Sequence, residues 1–165
     1  MSKPINKHPY HYWEQKNIIQ ILLDFGFPVA LFFLFFQFYN FGKITPSEMI
    51  KTTGLLSISL LGFTLVIGPL CRFFPVLNFL KAHRKIWGIS SFMAAFAHVS
   101  LIFVYFYKFD LLKFVDTTNP KYQGIISGLL DLVILFLVTM TSNKIALTKL
   151  SPKTWKLIHT SSYLA

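Results

Sequence analysis

The sequence predicts an all-α protein, a multi-pass transmembrane helical bundle with four complete helices and the start of a fifth. Of its 165 residues, 54% are hydrophobic and 13% are charged, whereas about 25% of the residues of a soluble domain are charged. The apolar residues form long blocks instead of stripes along one face of a helix. About 20 consecutive apolar residues span the core of a bilayer, so one domain surrounded by lipid is predicted.

The apolar blocks cover residues 17–39, 54–71, 86–107 and 122–140, and a fifth begins at Trp155. The first is predicted to be a retained helix, because its leader contains Glu14 and no small-residue cleavage site follows it. Pro28 is expected to kink this helix, which neighbouring helices tolerate in a membrane. Turn-forming stretches such as "NFGK", "ITPSE" and "DTTNPKYQG" separate the blocks. Residues 1–16 are therefore assigned to a cytoplasmic leader and residues 17–165 to the transmembrane domain.

Positive charge is distributed unevenly between the two sides of the predicted bundle. With the N-terminus in the cytoplasm, 11 of the 16 Lys and Arg residues lie inside and 5 lie outside, as the positive-inside rule requires. The inner residues are Lys3, Lys7, Lys16, Arg72, Lys81, Arg84, Lys85, Lys144, Lys149, Lys153 and Lys156, and the outer ones are Lys43, Lys51, Lys108, Lys113 and Lys121. The net charge of +10 thus orients helices and contacts anionic membrane lipid, and nucleic acid is not an expected partner.

The sequence lacks the signatures of several classes of cofactor site. The chain contains no G-x-G-x-x-G after a strand, no P-loop and no H-E-x-x-H, so no flavin, nicotinamide or nucleotide site is expected. Cys71 is the only cysteine, which excludes an intrachain disulfide and a cysteine-ligated cluster.

Three ionisable residues interrupt the complete spans, and such residues are costly in lipid and usually have a partner. His98 lies about 18 Å along the third span, where it either forms a hydrogen bond to another helix or ligates a metal or haem iron. Asp131, in the fourth span, is either protonated and bonded to a serine or a carbonyl of the next helix, or part of a proton path. Asp24, near the cytoplasmic end of the first span, is expected to be solvated or paired with Lys16.

Two further histidines lie close to the predicted cytoplasmic face. His159, four residues after Trp155, is about 6 Å from the inner surface. Imidazole ligates haem iron, and two histidines on facing helices of a bundle can hold one haem. His83, beside Arg84 and Lys85, is expected to be solvent-exposed.

The stretch "RKIWGISSFMAAFAH", residues 84–98, resembles the R-R-x-L-G…H signature of ferric-reductase-like transmembrane domains. Upstream, "TTGLLSISLLGFTLVIGPLCRF" resembles the T-G-x-W-A-L…T-L-x-I-T-P-L-R pattern of one group in that family. Downstream, "LSPKTWKLIHTSSYLA" is similar to the L-G-x-x-W-x-x-L-H-x-L-V-Y-L-A run of the same group. That group is the haem-binding membrane subunit of the periplasmic methionine-sulfoxide reductase system, and the resemblance covers residues 52–165.

The resemblance implies a membrane subunit that carries one or two b-type haems and passes electrons across the bacterial inner membrane. Family haem-ligand histidines correspond to His98 and His159. Arg84, Lys85 and Lys156, at the cytoplasmic ends of the histidine-bearing helices, then contact haem propionates or lipid headgroups. Quinol or a separate flavin reductase would donate electrons, and a periplasmic molybdenum-cofactor reductase subunit would accept them. The chain would therefore be part of an oxidoreductase system and not a self-contained enzyme.

The chain departs from the family pattern in several places. Trp87 stands where the signature has leucine, and Lys85 replaces an arginine, which removes a bidentate hydrogen-bonding group. The family continues its fifth helix to a further histidine and then adds a sixth helix, so a chain ending at Ala165 is expected to be a fragment. His98 and His159 differ in depth by roughly 12 Å, more than helix tilts of about 20° can close. The missing outer histidine is therefore the expected partner of His98, and His159 is expected to serve a lower site.

Two other functions are compatible with the same residues. A ferric or metal reductase would act directly on external iron chelates. A haem-free anchoring or assembly subunit would use His98 and Asp131 as polar contacts between helices.

Overall fold

The computed structural model of the protein describes residues 17–39, 41–114 and 116–163. Every regular element in these ranges is helical, and four of the helices are long and apolar enough to cross a membrane. The predicted all-α, multi-pass class is confirmed. The predicted leader, residues 1–16, lies outside the described residues.

The helices are numbered here in chain order. The four candidate spans are α1 at Ile18–Tyr39, α2 at Pro46–Phe73, α3 at Arg84–Tyr105 and α4 at Tyr122–Thr141. Two shorter helices follow, α5 at Lys144–Lys149 and α6 at Pro152–Ser161. Two 3₁₀ segments, Pro75–Ala82 and Leu111–Phe114, lie in the connections before and after α3.

The N-terminal end of α2 lies eight residues before the predicted start at residue 54. The stretch "TPSE", interpreted from the sequence as part of a turn, forms the beginning of this helix instead. The Thr45 hydroxyl accepts a hydrogen bond from the Glu48 amide at 3.3 Å, which is half of a capping box. Pro46 occupies the first turn, where its fixed φ suits a helix. These polar residues therefore extend α2 beyond its apolar block.

A π-helical turn in α1, at Leu22–Gly26, lies just before the buried Pro28. Proline has no amide hydrogen to donate to the preceding turn. The carbonyl five residues before Pro28 belongs to Leu23, and this oxygen accepts a hydrogen bond from the indole of Trp87 at 2.9 Å. A neighbouring helix thus supplies a donor, which is how membrane helices accommodate proline.

The packing of α2 against α3 forms the centre of the bundle. Ser57 Oγ donates to the carbonyl of Ser91 at 3.0 Å, and Ser91 Oγ donates to the carbonyl of Ser57 at 2.8 Å. Small side chains let two membrane helices approach closely, and this reciprocal pair fixes their register. Toward the C-terminal end of α2 the contact continues in a buried apolar cluster of Leu60, Ile67, Cys71 and Trp87.

The surface of the bundle is largely apolar. On α4, large side chains such as Leu130, Val133 and Phe136 are exposed, and an extended apolar surface of this kind indicates contact with lipid or another protein. The short α6 is joined to the end of α4, because the indole of Trp155 donates to the carbonyl of Thr141 at 3.3 Å. This contact brings His159 to the side of the bundle where α3 begins.

Candidate functional site

The imidazole of His98 is half-buried between α3 and α2. Its Nδ1 lies 2.8 Å from the carbonyl oxygen of Ile50. Because a carbonyl only accepts, Nδ1 carries the proton, and in the neutral ring Nε2 then carries the lone pair. No hydrogen bond joins Nε2 to any residue within the three described ranges. The ring is therefore oriented by one nitrogen and leaves the other able to ligate a metal.

The imidazole of His159 lies on α6, against the indole of Trp155, with ring centroids 4.1 Å apart. Its Nε2 lies 3.4 Å from the hydroxyl oxygen of Thr141 at the end of α4. Burial lowers the pKa of His159, and the positive charge of Arg84 lowers it further. A hydrogen bond to the backbone of Thr141 acts in the opposite direction and raises the pKa, but the net shift is downward. The lowered pKa favours the neutral form of the ring, which is the form that ligates metal.

A cavity of about 690 Å³ lies between α2, α3, α4 and α6. Four of the predicted site residues line it together: Arg84, Lys85, Lys156 and His159. Its remaining walls are mainly apolar and include Leu65, Ile89 and Leu135. The size and the apolar lining with a few convergent polar groups are typical of ligand sites. The structure thus brings the predicted basic residues together with the second histidine.

His98 is not among the residues that line this cavity. The two histidines therefore occupy different places in the described part of the bundle, one between α2 and α3 and one beside the cavity at the start of α3. Whether His98 and His159 ligate separate irons stays a prediction.

The guanidinium of Arg84 is held by the backbone of α2. Its Nε donates to the carbonyl of Thr64 at 2.9 Å, and its Nη1 would lie 3.4 Å from a Cβ placed on Gly68. The side chain therefore lies flat against a helix surface that has no side chain at that position. Its positive charge is held at the wall of the cavity. An anionic group in the cavity could contact it without a large rearrangement of the Arg84 side chain.

Asp131 is partly buried on α4. Within the described residues its carboxyl group forms no hydrogen bond or ion pair, so the predicted bond to a serine or a carbonyl of the next helix is not present there. It does not line the cavity beside His159.

A third polar site was missed by the sequence interpretation. His83 is 3% exposed and Asp24 is 1% exposed, and Nδ1 of His83 lies 2.7 Å from Oδ1 of Asp24. The expectations of a solvent-exposed His83 and a solvated Asp24 are therefore wrong, while Lys16 lies outside the described residues. A carboxylate buried in the first span needs a partner, and a histidine at the same end of a neighbouring span was the available signal.

The ring of Trp87 stacks beside the imidazole of His83, with ring centroids 5.9 Å apart. The same indole donates to Leu23 and contacts Phe27, with centroids 4.5 Å apart. Trp87, the residue that replaces the leucine of the signature, therefore connects α3 to α1 through one hydrogen bond, to Leu23, and one ring contact, with Phe27.

Comparison with protein families supports the resemblance seen in the motifs. A family model described as "Ferric reductase like transmembrane component" matches residues 53–165, well over half of the chain. The matched range contains both predicted ligand histidines and all three predicted basic residues. No solved structure matches the chain.

Proposed function

The chain belongs to the family of ferric reductase like transmembrane components, and on that premise we propose that it is the b-type haem membrane subunit of an electron-transfer system. Transmembrane domains of this family generally bind haem and have a role in membrane electron transfer. The subunit would lie in a bacterial inner membrane with its N-terminus in the cytoplasm and conduct electrons to a periplasmic reductase. The 11-to-5 charge bias supports this orientation.

The observation that carries this proposal is the environment of His98. Its Nδ1 donates to a backbone carbonyl at 2.8 Å, and a metal-ligating histidine almost always donates its other ring N–H to such an acceptor. Its Nε2 has no hydrogen-bond partner among the described residues. A nitrogen that is oriented by the opposite side of its ring and has no hydrogen-bond partner among the described residues fits an axial ligand of haem iron.

The cavity beside His159 supports a second, lower haem, and this argument does not depend on His98. Haem has a broad apolar face and two anionic propionates. The walls of the cavity are mainly apolar, and Arg84, Lys85 and Lys156 supply positive charge at its edge. Iron, when bound, would supply one-electron redox chemistry, while the protein residues hold the ring, exclude water and neutralise the propionates.

The proposed partners follow from the motifs. A methionine-sulfoxide reductase subunit with a molybdenum cofactor is the proposed acceptor on the periplasmic side, because the stretches around His98 and Trp155 resemble that system. Quinol or a separate flavin reductase is the proposed donor, since the sequence contains no nucleotide-binding motif of its own.

Electron transfer across a sealed membrane tests this function. The full-length protein, loaded with haem, would be placed in liposomes that enclose a reductant, and the haem spectrum would be followed after acceptors are added outside. We expect the haem to become reduced and then to be reoxidised by the periplasmic molybdenum subunit. Reoxidation by ferric chelates alone would indicate a direct metal reductase. A haem that stays oxidised would contradict electron conduction, and His98→Ala is the matched control.

A second candidate, a haem-free anchoring subunit, is favoured by one specific observation. The bond from His98 to Ile50 already connects two helices, as polar contacts do in structural membrane subunits. In that case His98→Gln should retain both folding and function, because the glutamine amide also donates a hydrogen bond. The haem proposal predicts the opposite for function, since glutamine does not replace imidazole on iron.

A further inference from the structure

Gly54 of α2 faces the imidazole of His98 on α3 at very short range. A Cβ added at Gly54 would lie 3.0 Å from both Cε1 and Nδ1 of the ring. Optimal carbon–carbon contacts lie at about 3.5–4.0 Å, so the imidazole must shift by a few tenths of an ångström to admit even the methyl group of alanine. Gly62, further along the same helix, has no atom within 4 Å of such a Cβ. Of the three glycines of α2, Gly54 alone approaches the His98 ring, because Gly68 faces Arg84 instead.

The acceptor for His98 lies one helical turn before this glycine. The carbonyl of Ile50 receives Nδ1–H of His98 at 2.8 Å and the hydroxyl of Thr53 at 3.0 Å. Thr53 also lies 2.9 Å from the carbonyl of Met49, so its hydroxyl is shared between two acceptors. In a helix the amide of Gly54 is directed at the same Ile50 oxygen. Several donors thus compete for one carbonyl that positions the histidine.

The distance between the two helices at this point is set independently of His98. The reciprocal hydrogen bonds of Ser57 and Ser91 lie one turn from Gly54 along α2 and two turns from His98 along α3. Both serines are buried. This pair holds the two backbones close together, and the missing side chain of Gly54 leaves the space that the ring occupies.

We propose that Gly54 is a positioning residue that, by admitting the His98 ring to the Ile50 carbonyl, sets the reduction potential of the haem that His98 ligates. The inference rests on the proposed function. A strong hydrogen bond from Nδ1 raises the basicity of a ligand imidazole. A more basic ligand stabilises oxidised iron, so the native contact holds the midpoint potential low.

Three variants of the full-length, haem-loaded protein test this inference. Gly54→Ala introduces the Cβ that displaces the ring, and Gly62→Ala adds the same methyl group to the same helix without a neighbour. Thr53→Val removes a hydroxyl that competes for the Ile50 carbonyl and leaves Gly54 unchanged. Midpoint potentials would be measured by redox titration of the haem absorbance, and axial ligation by electron paramagnetic resonance of the oxidised protein.

We expect Gly54→Ala to raise the midpoint potential and alter the paramagnetic signal, and Thr53→Val to lower the potential, while Gly62→Ala matches the wild type. A tenfold change in the preference for oxidised over reduced iron corresponds to about 59 mV. Midpoint potentials that shift in opposite directions in Gly54→Ala and Thr53→Val distinguish ring positioning from a general loss of packing. If Gly54→Ala does not fold, the potential of Thr53→Val still tests the inference.

Wild-type potential and signal in a folded Gly54→Ala protein, or an unchanged or raised potential in Thr53→Val, would overturn the positioning role while leaving haem binding intact. Absence of haem from the wild-type protein itself would instead contradict the proposed function. The two failures are therefore distinguishable in the same set of preparations.

Discussion

The individual polar residues of this bundle differ in how they are satisfied. His98 uses one ring nitrogen on the Ile50 carbonyl, whereas His83 and Asp24 form a pair whose side chains are 4% and 2% exposed. A buried polar contact is costly to break from one side, because the remaining buried group loses a hydrogen bond that water does not replace. The Asp24–His83 pair is therefore predicted to stabilise the attachment of α1 to the start of α3.

Replacing one member of this pair should destabilise the protein. For His83→Leu we expect a loss of about 1–3 kcal/mol in the free energy of unfolding, since the buried Asp24 side chain loses its hydrogen bond to His83. The double variant Asp24→Leu with His83→Leu should recover most of that loss. Unfolding in detergent, followed by circular dichroism, measures both. Additive losses in the double variant would show that the two side chains are not coupled.

The sequence was informative about some of these residues and not about others. His98 and His159 could be selected because each is an imidazole in an apolar or motif-bearing stretch, and the basic residues because they follow the motifs. The burial of His83 was missed because its partner lies 59 residues earlier in the chain, and only their position at the same end of two neighbouring spans indicated the pairing. Adjacent Arg84 and Lys85 made solvent exposure the local expectation, and tertiary packing reversed it.

At the scale of helices, the π-helical interruption of α1 and the indole of Trp87 are linked by one hydrogen bond. Pro28 withholds an amide hydrogen, and the Trp87 indole donates to the carbonyl of Leu23 five residues before that proline. The sequence predicted that Pro28 would kink α1, and it identified Trp87 only as a departure from the leucine of the family signature. The hydrogen bond between two helices was not visible in either local pattern.

Trp87→Phe tests this coupling between α1 and α3. The variant keeps an aromatic ring but leaves the Leu23 carbonyl without the indole donor, so we expect a loss of about 1–3 kcal/mol in unfolding free energy. In a Pro28→Ala background the restored amide at position 28 can serve the same carbonyl, and the loss should be smaller. Thermal unfolding of the four proteins gives the coupling. An equal loss in both backgrounds would refute the shared role of the carbonyl.

The whole molecule combines a family-matched region, residues 53–165, with α1, which precedes it. The proposed orientation of this assembly in the membrane rests on charge, because the predicted topology places 11 of the 16 basic residues on the side of the leader. The cavity with Arg84, Lys85 and Lys156 would then face the cytoplasm, on the side of the proposed electron donor.

Cysteine labelling tests the orientation directly. In a Cys71→Ser background, Lys113→Cys lies in the connection after α3 and Lys81→Cys in the connection before it, and both lysines are exposed. With the N-terminus inside, a membrane-impermeant maleimide should label Lys113→Cys on intact cells and reach Lys81→Cys only after the membrane is opened. The reverse pattern would contradict the positive-inside assignment.

The central claim is that haem iron is the partner of His98, and absorption spectra test it most directly. Oxidised and dithionite-reduced spectra of the purified full-length protein would be compared with those of His98→Ala and His159→Ala. We predict a six-coordinate b-type spectrum in the wild type and loss of one haem contribution in His98→Ala. His159→Ala should instead affect only a haem held in the lower cavity. An unchanged haem spectrum in folded His98→Ala, or no haem in the wild type, would contradict the account.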